Sequence, residues 1–136
     1  MTWLVTGGAG YIGSHVVASF VRQGLPVVVL DDFSTGVRSF VPKGVPLVEG
    51  TLLDTDVVET ALRDHSVEGV IHIAGFKFAG ISVEQPVHTY EQNVTAMMSL
   101  LDAMNTVGVK KAVFSSSSSV YGNAASGLVL EEHPFN

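Results

Sequence analysis

The 136-residue sequence predicts an α/β domain built on a doubly wound parallel sheet of about five strands. Three observations lead to this prediction. Short apolar runs rich in β-branched residues recur along the chain, helical periods separate them, and a glycine-rich turn directly follows the first run. Strands that alternate with helices through short connections are typical of parallel sheets covered by helices on both faces.

The first third of the chain contains three strand candidates and one helix. "TWLVT" (Thr2–Thr6) is a short buried-strand candidate, and "PVVVL" (Pro26–Leu30) is a continuous apolar run of the kind that parallel sheets bury on both faces. Between them, residues 11–23 have a helical apolar period that Gly24 ends. "VPLVE" (Val45–Glu49) is the third strand candidate, and the connection from residue 30 to 45 has no strong helical period, so a loop is predicted there.

The remaining elements follow the same alternation. Asp54 is a helix cap, and the helix it begins has four inward-facing apolar residues, Val57, Val58, Ala61 and Leu62. "GVIHIAG" (Gly69–Gly75) is the fourth strand candidate and "KAVFS" (Lys111–Ser115) the fifth. Between these strands a long helix is predicted over residues 86–107, with Pro86 in its first turn and Gly108 at its end. Its broad apolar stripe, suited to both core and partner contact, comprises Val87, Tyr90, Val94, Met97, Leu101 and Met104.

Composition limits the classes of protein that this chain can represent. Hydrophobic residues make up 46% and charged residues 15%, as in a globular domain, and we expect one domain over residues 1–136. The net charge is −6 with seven scattered Lys and Arg, which argues against a nucleic-acid surface. There is no cysteine, and the five histidines show no ligand spacing, so no metal site is expected. With no signal peptide and no run long enough to cross a bilayer, the predicted location is cytoplasmic, with no membrane partner.

The stretch "VTGGAGYIGSH" carries a phosphate-binding pattern. Gly8-x-Gly10-x-x-Gly13 follows a strand and begins a helix, which is the context that makes this pattern informative. Glycines allow the backbone to approach a pyrophosphate, and the N–H groups at the helix N-terminus favour that anion. The fold predicted is therefore of the Rossmann type.

An acidic residue stands where such folds bind the adenosine ribose. Asp31 ends the second strand, 18 residues after Gly13, and Asp32 follows it. No arginine is adjacent to receive a 2′-phosphate, and two carboxylates repel one, so the sequence favours NAD over NADP.

Five motifs resemble one enzyme family. "TGGAGYIGSH", "LDDFSTG", "VIHIAGFK", "SVEQP" with "YEQNV", and "VFSSSSSVYG" together are similar to the extended short-chain dehydrogenase/reductases, and most of all to their UDP-glucose 4-epimerase branch. The similarity runs in order along essentially the whole chain. "AGFK" followed by "SVEQP" is more specific to that branch than the glycine loop is.

The resemblance implies a set of cofactor contacts. For the pyrophosphate and adenosine it implies Gly7, Gly10, Tyr11, Ile12, Gly13, Asp31, Asp32, Phe33, Ser34, Thr35 and Gly36. Beyond the third and fourth strands it implies Thr51, Leu52, Ile73, Ala74, Gly75, Lys77, Gln92, Asn93 and Ser115. Thr51 departs from the aspartate that the family commonly has after "EG", so weaker adenine binding is expected. Ser117 would hydrogen-bond the reacting hydroxyl of the sugar and is the one catalytic residue implied within this chain.

The resemblance also implies an activity and its partners. Such enzymes interconvert UDP-glucose and UDP-galactose, in galactose metabolism, through a 4-keto intermediate with transient hydride transfer to NAD, and they act as homodimers. Their Tyr-x-x-x-Lys is absent here, because Tyr11, Tyr90 and Tyr121 have no lysine four residues later. The sixth strand and the substrate domain are absent too, so we expect this chain alone to be inactive. Two alternatives stay open: another nucleotide-sugar enzyme of the superfamily, a dehydratase or decarboxylase, and a non-catalytic NAD-sensing module.

Overall fold

The computed structural model describes residues 1–122 and 127–135, and this part of the chain forms one parallel five-stranded sheet flanked by helices. The strands are β1 (Thr2–Thr6), β2 (Val27–Asp31), β3 (Leu47–Glu49), β4 (Val67–His72) and β5 (Lys111–Phe114). The helices are α1 (Tyr11–Arg22), α2 (Thr55–Asp64), α3 (Ala79–Glu84), α4 (Pro86–Tyr90) and α5 (Ala96–Val107). A π-helical turn (Glu91–Thr95) joins α4 to α5, and 3₁₀ turns lie at Arg38–Phe40 and Ser118–Tyr121.

The strand order is β3-β2-β1-β4-β5, and every neighbouring pair is parallel. The chain builds outward from β1 in one direction through β2 and β3, and in the other through β4 and β5. The order therefore reverses between β1 and β4, and a crevice opens there at the carboxyl ends of the strands. This topology confirms the predicted doubly wound, Rossmann-type sheet.

The two faces of the sheet pack against different helices. On one face, Leu4, Leu30 and Val70 lie in a buried cluster with residues of α2 and α5, including Leu62 and Leu100. On the other face, Val5 and Val29 pack against α1. All five residues of β2 are buried, as its continuous apolar run predicted.

Helix ends follow their sequence signals. The Asp54 carboxylate accepts a hydrogen bond from the Val57 N–H at 3.2 Å and caps α2 as predicted. Gly24 follows α1 with φ +66°, and Gly108 follows α5 with φ +90°. An L-residue rarely adopts that left-handed conformation, so glycine is the residue that ends both helices at low cost.

Some predicted boundaries were wrong. The fourth strand begins at Val67 and ends at His72, so residues 73–75 belong to the connection that follows it. The predicted loop after β2 contains a 3₁₀ turn, and α3 was not predicted. The helix predicted as continuous over residues 86–107 is interrupted by the π-helical turn.

The apolar stripe of that helix divides between core and surface. Met104 is buried, and the other buried positions are Ala96, Leu100 and Ala103. Val87, Tyr90, Val94 and Leu101, which belong to the predicted stripe, are exposed, as is Met98.

Candidate functional site

The glycine loop connects β1 to α1 in a tight turn. Gly7 has φ +68°, and its carbonyl accepts a hydrogen bond from the Gly10 N–H at 3.1 Å. A Cβ added to Gly13 would lie 2.0 Å from the Gly7 carbonyl oxygen, so only glycine fits where α1 begins. The first turn of α1 holds no acidic residue and no side-chain cap. No side chain of the helix itself therefore competes with an anion for these N–H groups and the positive end of the helix dipole.

Asp31, which is 6% exposed, ties two loops together. Its Oδ2 accepts a hydrogen bond from the Ala9 N–H at 2.8 Å, and its Oδ1 accepts one from the Phe33 N–H at 2.9 Å. We call this arrangement the Asp31 clasp. The Val37 N–H donates to the Ala9 carbonyl at 2.9 Å on the same side. A Cβ added to Gly36 would lie 2.4 Å from Asp31 Oδ1, so the loop after β2 lies directly against the carboxylate.

The outer end of the loop after β2 contains a positively charged side chain, Arg38. Phe33 has φ +57°, an uncommon conformation for a residue with a side chain, and the Arg38 guanidinium carbon lies 4.3 Å from the centroid of its ring. Arg38 also forms an ion pair with Glu49 at the end of β3. Sequence reasoning missed this arrangement, because Arg38 is not adjacent to Asp31 in the chain and the contact depends on how the loop folds.

The facing wall of the crevice begins where β4 ends. The Ile73 and Ala74 N–H groups donate to the Thr6 hydroxyl oxygen at 3.3 and 3.4 Å, and that hydroxyl lies 2.8 Å from His72 Nδ1. The same two amides lie closer to the Thr6 carbonyl oxygen, at 3.2 and 3.1 Å, so Thr6 binds the start of this connection through both its main chain and its side chain. Burial lowers the pKa of His72 below 6.5, which keeps the ring neutral.

Asn93 holds the connection after β4 in place. Its side-chain oxygen accepts a hydrogen bond from the Phe76 N–H at 2.8 Å, and its side-chain N–H donates to the Phe76 carbonyl at 2.9 Å. Both polar backbone groups of Phe76 are thereby bound by one residue of the π-helical turn. The Phe76 ring contacts Phe78 and His88, with ring centroids 5.3 and 5.0 Å apart.

These walls enclose a cleft of about 340 Å³. The predicted site residues that line it are Gly7, Gly10, Tyr11, Ile12, Gly13, Asp31, Asp32, Ser34, Thr35, Gly36, Thr51, Leu52, Ile73, Ala74, Gly75, Lys77 and Gln92. The structure thus brings together residues from five separate stretches of the chain at the reversal of strand order. Leu30, Gly50, Phe76, Phe78, His88 and Ala96 line it as well and were not predicted. The adjacency of Phe76 and Phe78 to Lys77 is a signal that would have identified those two.

Four predicted site residues do not line the cleft. Phe33 and Asn93 act on its walls from outside, through the contacts described above. The Ser115 N–H donates to the His72 carbonyl at 3.0 Å beside the end of β4. Ser117 is exposed, and its hydroxyl oxygen accepts a hydrogen bond from the Ser119 N–H at 3.1 Å at the start of a 3₁₀ turn. The serine run is therefore an ordered continuation of β5.

Residues 1–122 and 127–135 contain no group of three or more His, Asp or Glu side chains placed to hold a metal ion. Within these same ranges, no helix combines the length and the apolar character that crossing a membrane requires.

Comparison with known proteins places the chain in a family. The model of the NAD dependent epimerase/dehydratase family matches residues 3–136. The chain belongs to this family. The UDP-glucose 4-epimerase of Azospirillum brasilense is 43% identical over 131 residues, which are 96% of this chain and 38% of that protein. The UDP-glucose 4-epimerase of Lactobacillus helveticus is 43% identical over 136 residues, which are 100% of this chain and 41% of that protein.

Solved structures of the family superpose closely on this chain. The UDP-glucose 4-epimerase of Thermus thermophilus in complex with NAD has a TM-score of 0.91 at 43% identity, covering 100% of this chain and 44% of that one. The Bifidobacterium longum enzyme in complex with NAD+ and UDP has a TM-score of 0.88 at 32% identity, covering 100% and 43%. The chain therefore spans about two-fifths of the length of these relatives.

Proposed function

We propose that this chain is the NAD-binding region of a UDP-glucose 4-epimerase, an isomerase that interconverts UDP-glucose and UDP-galactose and serves galactose metabolism. The observation that carries the proposal is the Asp31 clasp. It joins a glycine loop of the dinucleotide-binding type to an acidic residue suited to bind a ribose, and both line one cleft. Relatives that match the chain over its length and bear that name, and neighbours solved with NAD, support it.

The cleft fits a dinucleotide. A Cβ added to Gly10 would have only the Gly7 carbonyl oxygen within 4 Å, at 3.3 Å, so a side chain there would extend into the space that the loop lines. Asp31 accepts one backbone hydrogen bond on each oxygen, and a carboxylate oxygen has lone pairs for another. The carboxylate is thus able to hold the loops and to accept ribose hydroxyls at once.

Different residues bind different parts of NAD. Bound NAD would supply the hydride acceptor for C4 of the sugar, and the residues of this chain would bind and orient it. The glycine loop and the N-terminus of α1 hold its pyrophosphate, Asp31 and Asp32 hold its adenosine ribose, and Leu52 packs against adenine. Lys77 and Gln92 bind it on the facing wall, where Asn93 fixes the backbone beside Lys77. Ser117 hydrogen-bonds the reacting hydroxyl of the sugar.

We expect no epimerisation by the 136 residues alone. A positioned general base contributes about 10²- to 10⁴-fold to a rate, and the family's Tyr-x-x-x-Lys is not among these residues. Conversion of UDP-galactose by the purified chain above a no-protein control would contradict this expectation.

Calorimetric titration with NAD, and with NADP for comparison, tests the proposal. We expect saturable NAD binding, weaker NADP binding, and a large loss of NAD affinity in Asp31→Asn, in which an amide N–H₂ replaces one acceptor oxygen of the clasp. Asp102→Asn is the matched control, because Asp102 is exposed on α5, away from the cleft. A chain that circular dichroism shows to be folded but that binds no NAD would refute the proposal.

The setting of the whole enzyme is part of the same proposal. We place it in the cytoplasm, as a homodimer, with a UDP-sugar substrate and no nucleic-acid or membrane partner. The absence of cysteine and the acidic net charge of −6 support this setting.

A further inference from the structure

We propose that Glu49 sets the selectivity for NAD over NADP by binding Arg38, the cation that would otherwise receive a 2′-phosphate. This inference rests on the proposed function and concerns two residues outside the cleft lining. It also revises the expectation that selectivity arises only from carboxylates and from the lack of a nearby arginine.

Strand register places Glu49 beside the ribose site. β2 and β3 pair in parallel, and Asp31 is the register partner of Glu49. Neighbouring strands lie about 4.8 Å apart, and register partners direct their side chains to the same face of the sheet. The Gly50 N–H donates to the Asp31 carbonyl at 3.1 Å, which fixes the two strand ends against each other.

The contacts of Arg38 position its guanidinium beside Glu49 and the proposed ribose site. Its guanidinium pairs with Glu49 and lies 4.3 Å from the centroid of the Phe33 ring. Phe33 in turn donates its N–H to Asp31 Oδ1 at 2.9 Å. Arg38 is therefore linked through a single residue, Phe33, to the carboxylate that would bind the 2′-hydroxyl, and we infer that it could reach a phosphate attached there.

The ion pair with Glu49 determines whether Arg38 is available to bind a 2′-phosphate, and so which cofactor is favoured. An arginine is the usual receptor of the 2′-phosphate in NADP-binding folds. Here Glu49 neutralises Arg38. The three carboxylates of Asp31, Asp32 and Glu49 exceed the single positive charge of Arg38, so the electrostatic potential at the proposed ribose site is negative. Both side chains of the pair are more than half exposed, at 60% and 62%, so the pair is weak enough for one substitution to release the guanidinium.

The test is a titration of the 136-residue chain and its variants with NAD and with NADP. We expect Glu49→Gln to bind NADP about three- to tenfold more tightly than the natural chain, with NAD affinity changed less than about twofold. Glu49→Gln combined with Arg38→Gln removes the gain, because the released cation is gone. Glu59→Gln is the control, because Glu59 also pairs with an arginine, Arg63, but within α2 and not at the end of β3.

The outcomes separate this inference from the proposed function. If the natural chain binds NAD and Glu49→Gln leaves the ratio of the two affinities unchanged, the inference is wrong and the function stands. The same holds if the double variant keeps the gain in NADP affinity. If the folded natural chain binds neither nucleotide, both fall. Glu49→Ala repeats the test with a side chain that makes no hydrogen bond to Arg38.

Discussion

Individual side chains in this molecule hold backbone in place as often as they face the cleft. Asp31 is the clearest case, since both of its oxygens are bound by amides of two different loops. Thr6 is another, because its hydroxyl and its carbonyl both accept from the Ile73 and Ala74 amides beyond β4, and the hydroxyl is within hydrogen-bond distance of His72 Nδ1. At the residue scale, much of the precision of the site therefore comes from polar groups that bind main chain.

Gly13→Ala should damage both the fold and the site. The added Cβ would lie 2.0 Å from the Gly7 carbonyl oxygen and 2.8 Å from Gly8 Cα, and neither backbone atom is free to move away. We expect the free energy of unfolding to fall by about 1–3 kcal/mol or more, measured by urea denaturation, and NAD binding to weaken in parallel. Gly80→Ala is the control, since nothing lies within 4 Å of its added Cβ. Equal stability of the two variants would contradict this account.

His72 should make the stability depend on pH. Burial lowers its pKa in the folded chain below 6.5, so an unfolded chain binds a proton more readily than the folded one. Stability is therefore highest above pH 6.5 and falls as pH is lowered toward the folded pKa, by at most about 1.4 kcal/mol per pH unit. Urea denaturation between pH 7.5 and 5.5 should show a smaller fall in stability for His72→Gln than for the natural chain.

At the scale of elements, the strands and their parallel arrangement were predictable, and the details of the connections were not. The strands carry uninterrupted apolar runs, and alternation with helices dictates a parallel sheet. The π-helical turn has no such local cause. It brings Asn93 to the backbone of Phe76, 17 residues away, and a contact at that separation leaves no periodic trace in the sequence.

The same limit applies to the candidate site. Glycines and Asp31 were predictable because their spacing from β1 and β2 is a recurrent pattern. His88 and Arg38 were not predictable, since each is brought to the site region by the path of a connection.

Asn93→Ala should loosen the wall formed by the connection after β4. The substitution leaves the Phe76 N–H and carbonyl without their two partners at 2.8 and 2.9 Å. We expect a loss of about 1–3 kcal/mol in the free energy of unfolding, and weaker NAD binding at Lys77. Asn105→Ala, which removes an exposed asparagine of α5, is the control. Unchanged NAD affinity in Asn93→Ala would show that the hydrogen bonds do not shape the cleft.

At the scale of the whole molecule, one side of the sheet is poorly covered. All four residues of β5 are exposed, including Phe114 at 59%. Nearby, α4, the π-helical turn and α5 carry an exposed apolar row of Val87, Tyr90, Val94, Met98 and Leu101. A contiguous row of exposed apolar side chains is typical of an interaction surface.

We therefore expect the isolated chain to self-associate. Light scattering over a range of concentrations should give a mass that rises above 14.4 kDa. Met98→Glu should shift the chain toward monomer, because a charge in the middle of the row is costly to bury. Val21→Glu, on α1 at the opposite face of the sheet, should leave association unchanged. A constant monomer mass for the natural chain would count against an interface at this row.

The Asp31 clasp has a consequence for how this binding region can change over evolution or in the hands of an engineer. Where the side chain that distinguishes ligands makes no other contact in the protein, it can be substituted without a cost to the structure. Here the carboxylate that we propose to bind the ribose also joins the glycine loop to the loop after β2, so its replacement removes the link between them. We therefore expect cofactor preference to change through substitutions of the residues around Asp31, while Asp31 itself is retained.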